Sequence, residues 1–232
     1  MPETAEHIHR AAQEPSGPGT PGSAVPYPLA KRLFDRGVAA LLVLLLSPLF
    51  LLAVLLLALD MLTVPRDRGR WLYRERRISR GREFNVLKFR VLREEALAEA
   101  ARDNAYARVF ERDRRNLTAA GQILKRPYLD ELPQLLNVLR GDISLVGPRP
   151  WPVTMVERQV ASGHDYRLRV IAGWTGPAQV YKDSPRKSQA TELDLEYVEL
   201  CRTRSGPQLL RHDLRVLGQS LRTMLRGRGL RY

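Results

Sequence analysis

Two adjacent carboxylates, Asp130 and Glu131, stand near the start of an apolar segment, Leu129 to Arg140, that is predicted to form a short helix. Asp130 is suited to cap this helix, and Pro133 would lie in its first turn, where no backbone N–H is required. The positive end of a helix dipole favours ionised carboxylates. Because neighbouring helical residues point about 100° apart, the two side chains can take different tasks. An ionised aspartate can attack phosphorus, while a second carboxylate can hold a hard cation such as Mg²⁺.

Arg149 follows this segment and lies between two prolines, Pro148 and Pro150. Because proline restricts backbone freedom, a guanidinium at this position can bind a phosphate bidentately at a low entropic cost. Each feature taken alone also has an ordinary explanation. An Asp-Glu pair at a helix start is commonly a cap, and Pro-Arg-Pro is typical of a surface turn. The two features alone are therefore compatible either with phosphate chemistry or with a purely structural role as a helix cap and a surface turn.

Residues 38–59 contain no charged side chain. A straight helix of this length would extend about 33 Å, enough to cross a hydrocarbon layer of about 30 Å. Ser47-Pro48 interrupts the run, because proline lacks an N–H and its ring clashes with the Leu44 carbonyl. The Ser47 hydroxyl can bond the carbonyl that is freed.

Basic residues flank the apolar run on both sides, and basic flanks prefer the cytoplasmic face of a membrane. The flanking residues are Lys31, Arg32 and Arg36 before the run and Arg66, Arg68 and Arg70 after it. A helical hairpin bent at Pro48, which enters and leaves by the same leaflet, satisfies both flanks. The residues alone leave this re-entrant hairpin and a straight crossing as alternatives.

The composition indicates a globular chain with a polyanionic partner. Of the 232 residues 44% are apolar, and 38 basic residues outnumber 25 acidic ones, for a net charge of +13. This surplus favours nucleic acid, anionic lipid or phosphorylated substrates. A single cysteine, Cys201, excludes an internal disulfide and a cysteine zinc cluster. No recognisable nucleic-acid motif and no glycine-rich phosphate loop occurs.

The sequence predicts a mainly helical α+β fold in three parts: a disordered tail (1–26), a membrane segment (27–64) and a C-terminal body (65–232). The elements predicted in the body are a strand from Glu83 to Leu92, a helix from Glu94 to Arg112, a short strand or extended segment from Ile143 to Val146, a turn from Gly173 to Gly176, and helices from Thr191 to Arg202 and from Leu209 to Arg226. The last helix is amphipathic and rich in arginine, so it either lies in a membrane interface or packs on the core.

The densest motif is LDELPQLLNVLRGDISLVGPRP, residues 129–150. Further matching segments surround it, namely Lys31 to Asp35, Ser47-Pro48, Lys88 to Arg90, Thr175-Gly176, Ala178 to Val180, Asp194 and Tyr197. Together, over roughly 200 residues, they resemble the bacterial sugar transferases of the monotopic phosphoglycosyl transferase superfamily. These proteins are polyprenyl-phosphate hexose-1-phosphate transferases.

The resemblance implies a ping-pong reaction. A UDP-sugar gives its sugar-1-phosphate to the enzyme, UMP leaves, and a polyprenol phosphate, undecaprenyl phosphate in most bacteria, receives the phospho-sugar. The product begins the synthesis of a surface polysaccharide or glycoconjugate. The implied partners are the UDP-sugar, the polyprenol phosphate and an anionic membrane surface, with no nucleic acid.

The same resemblance assigns roles to individual residues. It makes Asp130 the nucleophile that forms a covalent aspartyl intermediate, and it has Glu131, together with Asp130, bind Mg²⁺. Arg149 would hold a phosphate. The remaining expected contacts are Lys88 and Arg90 with phosphate and Gln179 near the nucleotide.

In topology, the resemblance favours the re-entrant hairpin broken at Ser47 and Pro48, with the catalytic domain and its interfacial helices on the cytoplasmic face of the bacterial inner membrane. Departures from the family pattern at Val91-Leu92, at Ala172 to Trp174 and at Pro177 leave the sugar open. The oligomeric state is also open, with a homodimer among the options. The alternative function is a membrane-tethered basic binding or assembly protein without catalytic activity.

Overall fold

The computed structural model describes residues 23–102, 107–125, 128–181 and 188–225. These residues form a mainly helical α+β structure, as predicted, and its strands pair into two two-stranded sheets. The chain divides into two compact units, each built from separate stretches of sequence. The first unit contains the described parts of Met1–Ala40, Glu75–Val86 and Leu135–Gly229, and the second those of Leu41–Arg74 and Leu87–Gln134.

The apolar run forms two helices, α1 (Leu29–Leu45) and α2 (Ser47–Thr63). Pro48 lies in the first turn of α2, and the Ser47 hydroxyl donates a hydrogen bond to the Leu44 carbonyl at 2.8 Å, as predicted. The two helices are bent by 59°. Within the described ranges, no single helix is both long and apolar enough to cross a bilayer, whereas this bent pair meets that criterion of length and composition when taken together.

Helix α2 has one buried and one exposed apolar face. Ala53 and Leu57 are fully buried in the hydrophobic core of the second unit, where they pack with Phe89, Val91 and other apolar residues. On the opposite face the side chains are exposed, and Leu59 retains 58% of its accessible surface. The apolar segment therefore supplies part of the core of the unit that contains Asp130.

A β-hairpin follows, with strand β1 (Leu72–Ser79) paired to strand β2 (Arg82–Phe89). Arg80 and Gly81 form the two-residue turn with φ of 51° and 72°, the pair of positive values that a tight hairpin turn requires. The strand predicted from Glu83 to Leu92 is confirmed as β2. Strand β1 was not predicted, because its many charged residues hide the alternation of its apolar positions.

The rest of the second unit is a set of short helices. They are α3 (Glu94–Arg102), α4 (Ala107–Phe110), a 3-10 helix (Arg114–Asn116) and α5 (Ala119–Leu124). Of the single helix predicted from Glu94 to Arg112, the residues of α3 and α4 are helical, Glu111 and Arg112 form a turn, and residues 103–106 lie outside the described residues. Asp113, which follows the end of the predicted helix, caps the 3-10 helix by accepting a hydrogen bond from the Arg115 N–H. This cap starts a new element there.

Helix α5 is fixed at its first turn by acidic side chains. The Ala119 N–H donates to Asp67 Oδ2 at 2.9 Å, and the Ala120 N–H donates to Asp60 Oδ2 at 3.0 Å. Thr118 caps the same turn by accepting from the Gly121 N–H. Since Asp60 belongs to α2, these bonds connect the apolar helix to the segment that leads to Asp130.

The first unit contains a parallel strand pair, β3 (Ser144–Val146) with β4 (Gly173–Thr175). Its helices are α6 (Gln134–Arg140), α7 (Val153–Ala161), α8 (Tyr166–Arg169), α9 (Pro177–Val180), α10 (Ala190–Thr203) and α11 (Gly206–Leu225). Strand β3 and the two long C-terminal helices are confirmed; Arg226 of the predicted last helix lies outside the described residues. The predicted turn from Gly173 to Gly176 is wrong over its first three residues, because Gly173–Thr175 pairs in parallel with Ser144–Val146 and so forms a strand.

Buried charges connect the first helix to the last in this unit. Lys31 of α1 donates to Asp213 of α11, and Asp35 accepts from the Ser144 hydroxyl at 2.6 Å. Tyr197 donates to Asp213 Oδ1 at 3.0 Å. Because these charges are excluded from water and paired, removing one partner costs about 3–5 kcal/mol. Lys31 therefore serves the fold, and it does not contribute to the basic flank that the sequence predicted beside the membrane.

The end of the predicted tail is ordered. Val25 is 1% exposed, and its N–H donates to the Arg169 carbonyl at 2.9 Å. Residues 1–22 of the predicted disordered tail lie outside the described residues.

Helix α11 buries Leu209, Asp213 and Val216, whereas Leu214 and Leu221 are more than half exposed. Part of the predicted apolar stripe therefore faces outward, beside exposed arginines.

We expect Leu57→Ala to destabilise the protein by about 2–5 kcal/mol, because it leaves a cavity in the core of the second unit. Thermal unfolding in detergent, followed by circular dichroism, should show a fall of roughly 2–4 °C per kcal/mol. The matched control is Leu59→Ala on the exposed face of α2, which should change stability by less than about 0.5 kcal/mol. Equal shifts for the two variants would contradict the assignment of α2 to the core.

Candidate active site

Asp130 and Glu131 lie in a tight turn rather than at the tip of a long helix. A 3-10 helix spans Leu129–Glu131, and α6 begins only at Gln134. Tyr128, with φ of 57°, precedes the turn in the left-handed conformation. Leu129 and Leu132 pack on the core of the second unit and hold the turn from both sides. The predicted cap role of Asp130 is therefore wrong, because a separate turn comes before α6.

Lys88 is brought to this turn from strand β2. Its ammonium donates a hydrogen bond to Glu131 Oε1 at 2.9 Å, and both side chains are mostly buried, with 14% and 16% exposed. A largely desolvated pair of this kind interacts more strongly than a surface pair. The structure thus brings Lys88 to the carboxylate pair, from which it is separated by more than forty residues of sequence.

Asp130 is 5% exposed. Burial raises the pKa of Asp130 to about 7, with the negative charges of Glu131 and Glu111 acting in the same direction and the positive charges of Lys88 and Lys125 opposing it. The sequence analysis expected a helix dipole to favour the ionised carboxylate. Burial outweighs that effect here, since a three-residue turn offers little dipole.

Glu111 and Lys125 are additional charged residues near Asp130 that the sequence analysis missed. The Lys125 ammonium lies 3.3 Å from Glu111 Oε2 and donates to the Glu111 carbonyl at 2.6 Å. Both charges act on the pKa of Asp130. No motif marks them, because each stands in an ordinary charged stretch and only the fold brings them near.

The environment of Arg90 differs from the one expected of a phosphate contact. It is 1% exposed, and its guanidinium donates to the backbone carbonyls of Asp67 at 2.5 Å, Arg70 at 2.6 Å and Leu92 at 2.8 Å. A guanidinium used in this way holds the chain that follows α2. The arrangement favours a structural role for Arg90.

Arg149 and Gln179 belong to the first unit. Arg149 is half-buried in the loop between β3 and α7. Gln179 lies in α9, and within the described residues neither of its buried side-chain amide atoms has a hydrogen-bond partner. An amide of this kind has both donor and acceptor capacity left for a ligand.

The donor set of Asp130 and Glu131 suits a hard divalent cation that is also bound by substrate. Among the residues that the structure describes, no group of three or more His, Cys, Asp or Glu side chains could hold a metal alone. Mg²⁺ typically uses one or two protein carboxylates and takes further ligands from phosphates and water. Asp130 and Glu131 therefore fit the protein's share of such a site, provided that Asp130 is ionised when the cation binds.

We expect Asp130→Asn to stabilise the metal-free protein at alkaline pH. Between the usual value near 3.8 and about 7, the folded state holds more protons on Asp130 than the unfolded state, so stability falls as pH rises through this window. The amide removes this loss. The melting temperature of the variant should exceed that of the wild type by about 5 °C at pH 8 and by little at pH 4.

The control for this measurement is Glu99→Gln, which replaces an exposed carboxylate of α3. The difference in melting temperature between Glu99→Gln and the wild type should not grow as the pH rises. A constant difference between Asp130→Asn and wild type across pH 4–8 would contradict the raised pKa.

Comparison with known proteins places these features in a family. The family model described as bacterial sugar transferase matches residues 26–227. The chain is 41% identical over 166 residues to the UDP-glucose:undecaprenyl-phosphate glucose-1-phosphate transferase of Caulobacter vibrioides, covering 70% of this chain and 58% of that protein. It is 37% identical over 183 residues to the exopolysaccharide production protein ExoY of Rhizobium meliloti, covering 74% and 77%. It is 36% identical over 160 residues to the undecaprenyl-phosphate galactose phosphotransferase of Salmonella typhimurium, covering 65% and 32%.

The matched part of this chain thus spans between about a third and three quarters of the length of these relatives. The match includes the motif at residues 129–150, the bent apolar pair and the C-terminal helices. The predicted family is confirmed: the chain belongs to the bacterial sugar transferases.

Proposed function

We propose that this protein transfers a sugar-1-phosphate from a UDP-sugar to a polyprenol phosphate and so initiates a surface glycan. The observation that carries the proposal is the buried carboxylate of Asp130 beside the Lys88–Glu131 pair, in a chain of the sugar transferase family. Relatives named as glucose-1-phosphate and galactose transferases to undecaprenyl phosphate support both substrate classes.

In the first half-reaction, an Asp130 carboxylate oxygen attacks the phosphorus that bears the sugar. The bond from that phosphorus to the bridging oxygen breaks, and UMP leaves with the electron pair. In the second half-reaction, a phosphate oxygen of the polyprenol phosphate attacks the same phosphorus, and the aspartyl bond breaks. This step restores the carboxylate and releases the polyprenyl-diphosphate sugar.

Burial gives Asp130 a useful reactivity. A carboxylate with few hydrogen bonds from water is a better nucleophile, but the same burial raises its pKa to about 7. The positive charges of Lys88 and Lys125 favour the ionised form needed for attack. Glu131, held by Lys88 at 2.9 Å, keeps a fixed orientation beside the nucleophile.

Mg²⁺ is proposed as the cofactor, bound by Glu131 and Asp130. When bound, it would neutralise charge on the diphosphate and stabilise the leaving phosphate. Arg149 is proposed to hold a phosphate and Gln179 to contact the nucleotide, since its amide atoms are without protein partners in the described chain. Lys88 remains a proposed phosphate contact in addition to its pairing with Glu131.

The bent pair α1–α2 is proposed to form a re-entrant hairpin in the cytoplasmic membrane, with the catalytic residues on the cytoplasmic side. The exposed leucines of α2, such as Leu55 at 57% and Leu62 at 76%, would contact lipid. Arg36, which lies in α1 just before the uncharged run, and Arg66, which follows α2, are both exposed and would both reach anionic headgroups of one leaflet.

Helix α11 is proposed to lie at the same interface. Its exposed side carries Leu214 and Leu221 together with Arg211, Arg215 and Arg222. Leucines that enter the acyl boundary beside arginines that bind phosphates are typical of an interfacial helix. The positive charge of the chain then has an anionic membrane as its partner.

Purified full-length protein in detergent, incubated with UDP-glucose or UDP-galactose, undecaprenyl phosphate and Mg²⁺, should release UMP. Asp130→Asn should reduce kcat by at least about a thousandfold, because the amide is a poor nucleophile. The control Glu99→Gln should stay within about twofold of the wild type. Chelation of divalent cations should abolish turnover, and added Mg²⁺ should restore it.

UMP release that survives Asp130→Asn would contradict the nucleophile. A wild-type protein that binds membranes but releases UMP from none of the donors tested would favour the alternative, a binding or assembly protein without activity.

The hairpin topology predicts that residues beside Arg36 and Arg66 face the same compartment. Single cysteines introduced as Gly37→Cys and Arg66→Cys, in a Cys201→Ser background, should both react with a membrane-impermeant reagent from the cytoplasmic side. A Cβ at Gly37 meets no atom within 4 Å, so this position tolerates the change. Labelling of the two sites from opposite sides would establish a straight crossing instead.

A further inference from the structure

Half of the residues in the loop that carries Arg149 cannot donate a backbone hydrogen bond. In the segment from Gly147 to Pro152 three residues are prolines, at positions 148, 150 and 152, and these have no N–H. The Gly147 N–H donates to the Thr175 carbonyl at 2.9 Å, and further bonds fix the loop through its carbonyl groups, with donors from elsewhere in the first unit.

Four consecutive carbonyls of the loop receive such donors. The Gly173 N–H donates to the Pro148 carbonyl at 2.9 Å, and the Ile78 N–H donates to the Trp151 carbonyl at 3.1 Å. Between them, two buried arginines act through their side chains. Arg167 Nη1 donates to the Arg149 carbonyl at 2.6 Å, and Arg77 Nη1 donates to the Pro150 carbonyl at 2.8 Å.

Arg167 is itself held in place. Its Nη2 donates to Asp194 Oδ2 at 2.6 Å, and its guanidinium lies 4.0 Å from the centre of the Trp151 ring. The Tyr166 hydroxyl donates to the same Asp194 oxygen at 3.1 Å. Arg167 is 6% exposed and Asp194 is 1% exposed. A planar guanidinium fixed by a carboxylate on one side and an aromatic face on another has little freedom to move.

We propose that Arg167, oriented by Asp194, is a positioning residue that fixes the backbone of Arg149 and so aims its guanidinium at the substrate phosphate. This proposal rests on the phosphate role proposed for Arg149. It explains why the buried Arg167–Asp194 ion pair, which is costly to desolvate, lies next to a loop that carries the positive charge of Arg149. Because four of its carbonyls are bonded, the loop presents Arg149 with little backbone entropy left to lose on binding.

A double-mutant cycle tests the proposal, with kcat/KM for UMP release from the UDP-sugar as the readout. The variants are Arg149→Met, Arg167→Lys and the combination of the two. Lysine keeps a positive charge beside Asp194. Its single ammonium cannot make all three contacts of the guanidinium at once, which are the bond to Asp194, the stacking on Trp151 and the bond to the Arg149 carbonyl. We expect Arg167→Lys to lower kcat/KM about tenfold, as the loss of one charged hydrogen bond would.

If Arg167 acts through Arg149, the double variant should be no worse than Arg149→Met alone, within about twofold. Effects that multiply would overturn the proposal, since they would show a role independent of Arg149. Because Arg167 is buried, Arg167→Lys should lower the melting temperature by a few degrees, so kcat/KM is measured well below the unfolding transition of each variant. A loss of activity that merely follows unfolding would also overturn the proposal.

Asp194→Asn provides a second and independent variant. The amide leaves Arg167 in place without its charged partner, so it should reproduce the tenfold effect and the same dependence on Arg149. The matched control is Arg169→Met on the same helix, which breaks a partly exposed ion pair with Asp165 and should leave kcat/KM within about twofold.

The outcomes also separate this proposal from the proposed function. If the wild type turns over and Arg149→Met keeps full activity, the positioning role is overturned, whereas the proposed transferase activity stands. Absence of wild-type turnover with every donor would count against the proposed function itself, and the positioning role would fall with it.

Discussion

Asp130 is excluded from water, yet the nucleophilic role proposed for it requires the ionised carboxylate. Its burial raises the pKa, and only the positive charges of Lys88 and Lys125 oppose the added negative charge of Glu131 and Glu111. Much of the second unit serves this constraint, since Lys88 is supplied by a hairpin strand and the turn itself is held on apolar side chains. The turn therefore holds a carboxylate with a raised pKa, and this lowers the stability of the folded state at neutral and alkaline pH. Shifted pKa values at some expense of stability are common at catalytic sites.

The apolar helix α2 takes part in this arrangement and is more than an anchor. Its buried face completes the core on which the Leu129–Glu131 turn rests, and Asp60 bonds the first turn of α5. A membrane hairpin that shares a core with the nucleophile would set the height of the carboxylate relative to the lipid phosphate. This coupling suits a proposed reaction between a water-soluble donor and an acceptor whose phosphate lies at the bilayer surface.

Sequence reasoning found the residues marked by local pattern. Ser47-Pro48 predicted the helix break and its hydrogen bond, and the motif at residues 129–150 selected the carboxylate pair. It did not find the 3-10 turn, the Glu111–Lys125 pair or strand β4, because each depends on contacts between distant parts of the chain. For the same reason it took Lys31 as a membrane flank and Arg90 as a phosphate contact, although the fold buries both.

The central claim is a covalent bond between Asp130 and a phosphorylated sugar. Incubating the protein with UDP-sugar and Mg²⁺ in the absence of acceptor, followed by quenching, proteolysis and mass spectrometry, tests it directly. The account predicts a sugar-phosphate adduct on the peptide that contains residue 130, lost when polyprenol phosphate is added and absent in Asp130→Asn. A preparation that turns over without this adduct, or that carries it on another residue, would contradict the account.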